Sequence, residues 1–466
     1  MPPVNVRTPG PVGLLPLRAI TLCVFVASFS SPTLLQSAEP SAPATATEPQ
    51  GDARVAFQKG QYDQVIRLLE AAPPDSKQPR ELLKVGVLSY VRLGQPESAF
   101  TVYTRLIPPG NQDDLTLLRE LAMAFIISRV RDPEEHLRIA AYTALAEISS
   151  REVVPLLEDG LLDSSVLVRA LAAEGLGRSA PEADWTILKR ALEDPVPAVR
   201  IAALNALGER RDPALQELLT RMARSEEGAI HVFTLAALVK LGQTDALADI
   251  MSAATLPDAD TRMAALGVLG RLKHPPSLTV LRQSLYDPNP DVRAFAAGAL
   301  GEFGQAGAAS ALTRALEDEN PRVRGTAAAS LGRLRVAYTR PLLWQAARDP
   351  IALVRVGAVE GLLRLGERDA VLVAADLARH SDPSVRSATA LAVGSAGNRK
   401  ALPVLETLIQ DQQPQPRLMA SRALGKVGGR AAIPLLKNAL QDSDPAVRVA
   451  AAGSLAQVSS MPRGGP

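Results

Sequence analysis

The sequence predicts an all-α fold, a right-handed α-solenoid of two-helix repeats, on two observations. Of 466 residues 47% are apolar but only 3% are aromatic, so the core must be built from Ala, Leu and Val. Ala and Leu are strong helix formers, whereas sheets draw on aromatic and β-branched side chains. The second observation is a 31-residue period. Steps of 31 meet Arg138, Arg169, Arg200, His231, Arg262, Arg293, Arg324, Arg355, Arg386, Arg417 and Arg448, with no insertion or deletion. A fixed period of that size marks stacked supersecondary units.

Residues 1–38 read as a secretory signal peptide. Arg7 and Arg18 precede the apolar run Ala19–Ala27, small residues follow to Ala38, and no acidic residue occurs before Glu39. An uncleaved membrane anchor is the alternative, and either form places the remainder outside the cytoplasm, in the periplasm or cell envelope. The lone cysteine, Cys23, falls in this leader, so the mature protein needs no oxidative folding. Without Arg7 and Arg18 there are 49 basic and 49 acidic residues, which argues against a nucleic-acid partner. Residues 39–50, rich in Pro and Thr and poor in apolar anchors, read as a disordered linker.

From 51 to 130 a 34-residue period governs. Ala56, Gly60, Val65, Leu69 and Ala72 are matched by Tyr90, Gly94, Ala99, Tyr103 and Leu106. Gly94-Gln95-Pro96-Glu97-Ser98-Ala99-Phe100 and Gly60-Gln61-Tyr62-Asp63-Gln64-Val65 resemble the centre of a tetratricopeptide repeat, which implies two helical hairpins and a further helix over 115–130.

Over 131–458 the 31-residue units carry aligned columns. Counting from each Arg-position as zero, Ala or Thr stands at +3, Leu or Val at +7, Gly in most units at +8, and Asp in most at −6, often followed by Pro. A second apolar column, mostly Leu, lies at +19. Each unit therefore reads as a helix bearing the +19 leucine, an Asp-Pro turn where Asp caps and Pro tolerates the first turn, and a second helix bearing the arginine. The Gly at +8 sits where helices are often closed. Positions +1, +2 and +6 are also apolar or small, which predicts a second helix buried on several sides. Ten or eleven such units at about 8–10 Å predict a curved rod on the order of 100 Å long without a central cavity. A short tail, 459–466, follows.

The Asp…Val-Arg…Ala…Leu-Gly pattern resembles the HEAT-like repeat family, in the short bacterial form first noted in phycobilin lyases. That resemblance implies an Arg-bearing helix on the concave side and an Asp–Arg ladder between adjacent repeats. The ladder would lose its Asp at Ser225, Leu256 and His380 and its Arg at His231, which predicts a looser stack near 225–260.

No catalytic constellation stands out. His136, His231, His274 and His380 form no His-Glu or His-x-x-x-His pair, there is no cysteine cluster, and no Walker loop, dinucleotide-binding glycine motif or nucleophile elbow occurs. No metal and no cofactor is expected, and the paired motifs of iron-dependent HEAT-repeat hydroxylases are missing. Trp185 and Trp344 lie in first helices and read as core packing. Opposite the core stripe of the second helix lie +5 and +9, which makes Glu174, Asn205, Lys240, Arg271, Arg333, Glu360 and Arg422 the candidate partner-binding residues. Position +5 is bare from Ala236 to Ala329. The last unit lacks a following helix and a polar outer face, which predicts packing in a homodimer or on a partner. The function expected is a non-enzymatic exported scaffold or adaptor holding a protein or peptide along the concave face. The alternative, by fold analogy alone, is a lyase-type enzyme, subunit or chaperone.

Overall fold

The computed structural model describes residues 49–71, 78–179 and 186–460. The signal peptide, nearly all of the linker, Trp185 and most of the tail lie outside the described residues. Every regular element among them is a helix. Five come first: α1 (Pro49–Gln58), α2 (Tyr62–Glu70), α3 (Arg80–Arg92), α4 (Pro96–Leu106) and α5 (Leu115–Ile127). Gly60 and Gly94, 34 residues apart, both take positive φ in the turns of the first two hairpins.

The helices of the arginine column, with His231 in the arginine's place in α12, are α6 (Glu135–Ile148), α8 (Val166–Ser179), α10 (Pro197–Arg210), α12 (Gly228–Lys240), α14 (Ala259–Leu272), α16 (Pro290–Phe303), α18 (Pro321–Leu334), α20 (Ala352–Arg364), α22 (Pro383–Ala396), α24 (Pro414–Val427) and α26 (Pro445–Ser460). Between them run the shorter α7 (Val154–Gly160), α9 (Thr186–Arg190), α11 (Gln216–Ser225), α13 (Ala246–Ala253), α15 (Ser277–Gln283), α17 (Ala309–Ala315), α19 (Arg340–Ala346), α21 (Ala370–Leu377), α23 (Leu402–Leu408) and α25 (Ile433–Ala439). Each arginine-bearing helix packs on the next, and the shorter helices pack chiefly on these rather than on one another. The layer whose helices touch must lie inside the curve and the splayed layer outside.

The glycine column sets this curvature. The expectation that these glycines close helices is corrected: they are helical, and where a left-handed residue ends the helix it comes three residues later, at Arg211, Lys273, Gly304, Arg335 and Gly397, all with φ between +53° and +78°. What the +8 glycine provides is close approach. A Cβ on Gly177, Gly270, Gly301, Gly332, Gly394 or Gly425 would stand 2.2–2.9 Å from the residue at +6 of the following repeat. At Gly208 the corresponding gap to Ala237 is 3.2 Å, so the α10–α12 junction is wider.

The solenoid closes on itself. Helix α26 packs against α24 on one side and against α6 and α5 on the other, so the eleven inner helices form an unbroken ring. The open rod without a cavity is therefore replaced by a ring, because small-residue contacts inside and splayed helices outside turn each repeat by about 33°, which closes after eleven. Inner helices spaced by about 9 Å put their axes on a circle of about 30 Å, leaving a lumen of ~20 Å once side chains are allowed for. The apolar face of α26 that suggested a dimer is covered by the protein itself: Val449, Leu455 and Val458 are buried, and Gly453 lies against Ala144.

Candidate functional site: the inner face of the ring

Side chains at one rim of the ring hold neighbouring repeats together. Arg138 donates from Nε and Nη2 to Asp163 of the next repeat at 2.9 and 3.0 Å, and from Nη1 to the carbonyl of Asp132 in its own turn. Six further rungs repeat this: Arg169–Asp194, Arg262–Asp287, Arg293–Asp318, Arg324–Asp349, Arg386–Asp411 and Arg417–Asp442. The aspartates also accept the backbone N–H two residues on, which closes the turn ahead of the inner helix; the expectation that they cap the helix is corrected, because the capping position falls two residues later, at Val196 or Asn320. Burial works to raise the pKa of Asp163, Asp318, Asp349, Asp411 and Asp442, but the arginine and backbone hydrogen bonds outweigh it and hold all five low. For Asp194 the Arg169 hydrogen bond is the largest influence, in the same direction. At the sequence gaps Arg200 donates to the Asp194 carbonyl of its own turn at 2.8 Å and finds Glu226 of the next repeat only at 3.6 Å, and Arg355 bonds only carbonyls of its own turn.

The inner face is built from +5 and +9, as the sequence indicates, and also from +2, which the periodicity assigned to the interior. Phe295 at +2 is 45% exposed, and Leu171, Phe233, Ala264, Thr326 and Met419 are half-buried. An apolar stripe thus runs beside the charged one. The interior assignment of +2 fails because in a ring the 200° position turns toward the lumen instead of meeting a neighbouring helix.

The candidate residues occupy different settings. Glu174 pairs with Arg178 at 2.8 Å within one helix. Lys240 reaches Glu209 of the preceding repeat at 2.6 Å. Glu360 is only 8% exposed and accepts from Arg333 and Arg364, at 3.4 and 3.2 Å. Asn205 is half-buried. Arg422 spans the seam to Glu147 at 2.5 Å, bounding a cavity of about 340 Å³ floored by Ala446 and Ala450. Arg271 differs: its guanidinium carbon lies 5.6 Å from the Phe233 ring centroid, and burial lowers its pKa, with Glu302 and Glu209 opposing from a distance. The bare position at Gly267 is floor to this group, since a Cβ there would stand 3.3 Å from Phe295 Cε1 and 3.8 Å from Arg271 Nη1. The +2 phenylalanines, missed from sequence, were detectable as the only aromatic residues in their column.

The N-terminal helices add charges that the repeat analysis did not connect with the ring. Lys437 of α25 donates to Asp113 at 2.7 Å, beneath the Tyr103 ring, whose hydroxyl also donates to Asp113 at 2.8 Å. Arg119 of α5 donates to the Ala456 carbonyl of α26 at 3.0 Å and pairs with Glu152. Glu97 lies 3.7 Å from Arg448 and 3.6 Å from Arg129, standing in for the aspartate that the last rung would need. Trp344 is partly buried in α19 and donates to Glu367 at 3.4 Å. Among the described residues no cluster of three or more His, Cys, Asp or Glu could hold a metal ion, and no helix is long and apolar enough to cross a membrane.

A protein of Pseudanabaena tenuis (strain PCC 7409), an uncharacterized phycocyanin operon protein Z, is 30% identical over 124 residues, 25% of this chain. The match spans 61% of that relative's length. Among solved structures, the CpcE–CpcF complex of phycocyanin lyase from Nostoc sp. PCC7120 is 18% identical, with 58% of this chain and 93% of that one covered and a TM-score of 0.34. Human deoxyhypusine hydroxylase in complex with glycerol is 18% identical, with 68% and 99% covered and a TM-score of 0.25. The HEAT-repeat profile matches residues 115–177, 163–231, 278–355, 339–417 and 406–464. That is more than half of the sequence, and the columns it matches are those that build the ring: the chain belongs to the HEAT-repeat family.

Proposed function

We propose that this protein is a non-enzymatic scaffold of the cell envelope that holds a protein or peptide segment against the inner face of its ring. The observation that carries this reading is the wet apolar stripe on that face, with Phe295 exposed above Gly267 and charged side chains alongside. Apolar side chains left in water and rimmed by charge are what interaction surfaces present. A lumen of ~20 Å admits one helix, whose diameter is about 10–12 Å, or an extended strand. Export rests on residues 1–38, and N-terminal sequencing of the protein from an envelope fraction should begin just after Ala38. A photo-crosslinking residue in place of Phe295, compared with one in place of the outward Tyr338, tests the surface. One polypeptide should recur at the inner position and not at the outer one. Adducts only at Tyr338, or the same mixture at both, would refute the reading.

A second reading, a lyase-type enzyme or lyase subunit, rests on fold analogy through the short repeats that resemble those of phycobilin lyases; the phycocyanin operon relative is itself uncharacterized. It requires the purified mature protein to bind a linear tetrapyrrole. A visible absorbance shift on mixing would favour it over the scaffold.

A further inference from the structure

We infer that Arg271, Phe233 and Phe295 form a recognition notch for a carboxylate next to an apolar side chain in the bound polypeptide. The inference rests on the reading of the inner face as a polypeptide-binding surface and names what that surface selects. Most cations of the inner face are neutralised: Lys240 by Glu209, Arg178 by Glu174, Arg333 and Arg364 by Glu360, Arg422 by Glu147. Arg271 has no carboxylate within ion-pair distance among the described residues. Its guanidinium lies over the Phe233 ring at 5.6 Å and is crowded enough for desolvation to work against its charge. A desolvated cation without a counter-ion is costly, and a planar guanidinium fork fits a carboxylate in two parallel hydrogen bonds. The contact with the Phe233 ring holds that fork in place.

The second half of the notch is apolar. Without a side chain, Gly267 lets Phe295 and Arg271 lie low against the backbone side by side, with Phe295 Cε1 and Arg271 Nη1 at 3.3 and 3.8 Å from where a Cβ would be. A residue that places its carboxylate on Arg271 therefore sets its neighbour against the exposed edge of Phe295. The carboxylate comes from an Asp or Glu of the bound polypeptide or from its free C-terminus. A phosphodiester polymer is the poorer fit, because Glu209, Glu302, Glu174 and Glu147 on the same face would oppose its repeated charges.

The test uses the full mature protein against immobilised peptides with randomised flanks. One set carries a central Asp, one a central Asn with an amidated end, one a central Asn with a free C-terminal carboxylate; oligothymidylate is a fourth arm. One or both carboxylate sets should be enriched at least about tenfold over the neutral set, as expected for charge-assisted hydrogen bonds. Which set leads identifies the source. Arg271→Gln should erase the enrichment with an unchanged melting profile, and Phe295→Ala should weaken retention of all peptides. No preference for carboxylate, a preference that survives Arg271→Gln, or stronger retention of oligothymidylate would overturn the inference. Equal retention of all peptide sets, lost in Phe295→Ala, would sink this notch while leaving the scaffold reading intact. Retention of no peptide at all would count against both.

Discussion

Closure of the ring joins residues 324 positions apart, so a double-mutant cycle on Lys437 and Asp113 measures it directly. Their side chains are 14% and 13% exposed and meet at 2.7 Å. Severing a fully buried pair costs about 3–5 kcal/mol, and an exposed pair is worth about 0–1 kcal/mol. An intermediate setting with residual water puts the coupling at about 2 kcal/mol. Lys437→Met keeps a flexible apolar side chain against the Tyr103 ring but loses the cation there, and Asp113→Asn keeps an acceptor for the Tyr103 hydroxyl; the cycle subtracts these single effects and leaves the ion pair. Denaturant unfolding of a repeat array need not be two-state. The readout is therefore amide hydrogen exchange in α26, which reports local opening. About 2 kcal/mol of coupling corresponds to roughly thirtyfold in protection. In an open solenoid the two residues would be ~100 Å apart at the usual helix spacing, and the coupling would vanish. A value below about 0.5 kcal/mol, with α26 protection unaffected by either single change, would refute closure.

Three further outcomes follow from the inner packing and the ladder. His380 holds the aspartate position of a broken rung: its Nδ1 accepts from Asp382 N at 3.1 Å, so it closes the turn before α22 without meeting Arg355. His380→Asp should add the missing pair and raise stability by about 1 kcal/mol, measured by thermal melting. The ladder aspartates have folded pKa values below that of an unfolded aspartate, so their contribution is complete above about pH 4 and is lost as pH falls through the folded values. Melting temperature should be flat from neutral pH to about 5 and drop steeply below about 4, and a fall already under way at about pH 6 would contradict this. In Gly332→Ala the new methyl would stand 2.2 Å from Gly361 Cα, a backbone atom that cannot rotate away. A net loss of about 1–2 kcal/mol is expected despite the better helix propensity of alanine, whereas Gly51→Ala, with nothing within 4 Å, should cost nothing.

The repeat architecture was legible because register is a one-dimensional property. The arginine column and its Asp at −6 marked the rungs, and even the interruptions at Ser225, Leu256 and His380 could be read directly. The role of the glycines was not. Gly at +8 is compatible with a helix end and with a helix crossing, and only the position of Ala206, Ala299 or Gly361 opposite it decides between them. The +2 column failed for a related reason. Helical periodicity gives the angle at which Phe295 leaves its helix, but whether a neighbour or solvent occupies that direction depends on curvature. The special status of Arg271 among the charged candidates needed the partners of all the others before it could be recognised.

Closure itself could not be read from any single repeat, because it is the accumulated product of eleven small rotations. An error of about 3° in each would open the ring by about one repeat, since the sum reaches the full circle only at about 33° per unit. Identical contacts cannot by themselves guarantee such a sum, and the seam is accordingly built differently from the ten other junctions. There Gly453, at +5, replaces the usual +8 glycine against the small residue of the next helix, and Glu97, Asp113 and Arg119 supply charges that no repeat contains. The N-terminal helices thus act as a clasp that takes up the residual misfit, which is why a last helix without a polar outer face is tolerated. A ring held this way presents its inner stripe at fixed spacing. A folded partner larger than the lumen must therefore engage from the rim, whereas a single helix or an extended segment can enter without the seam opening.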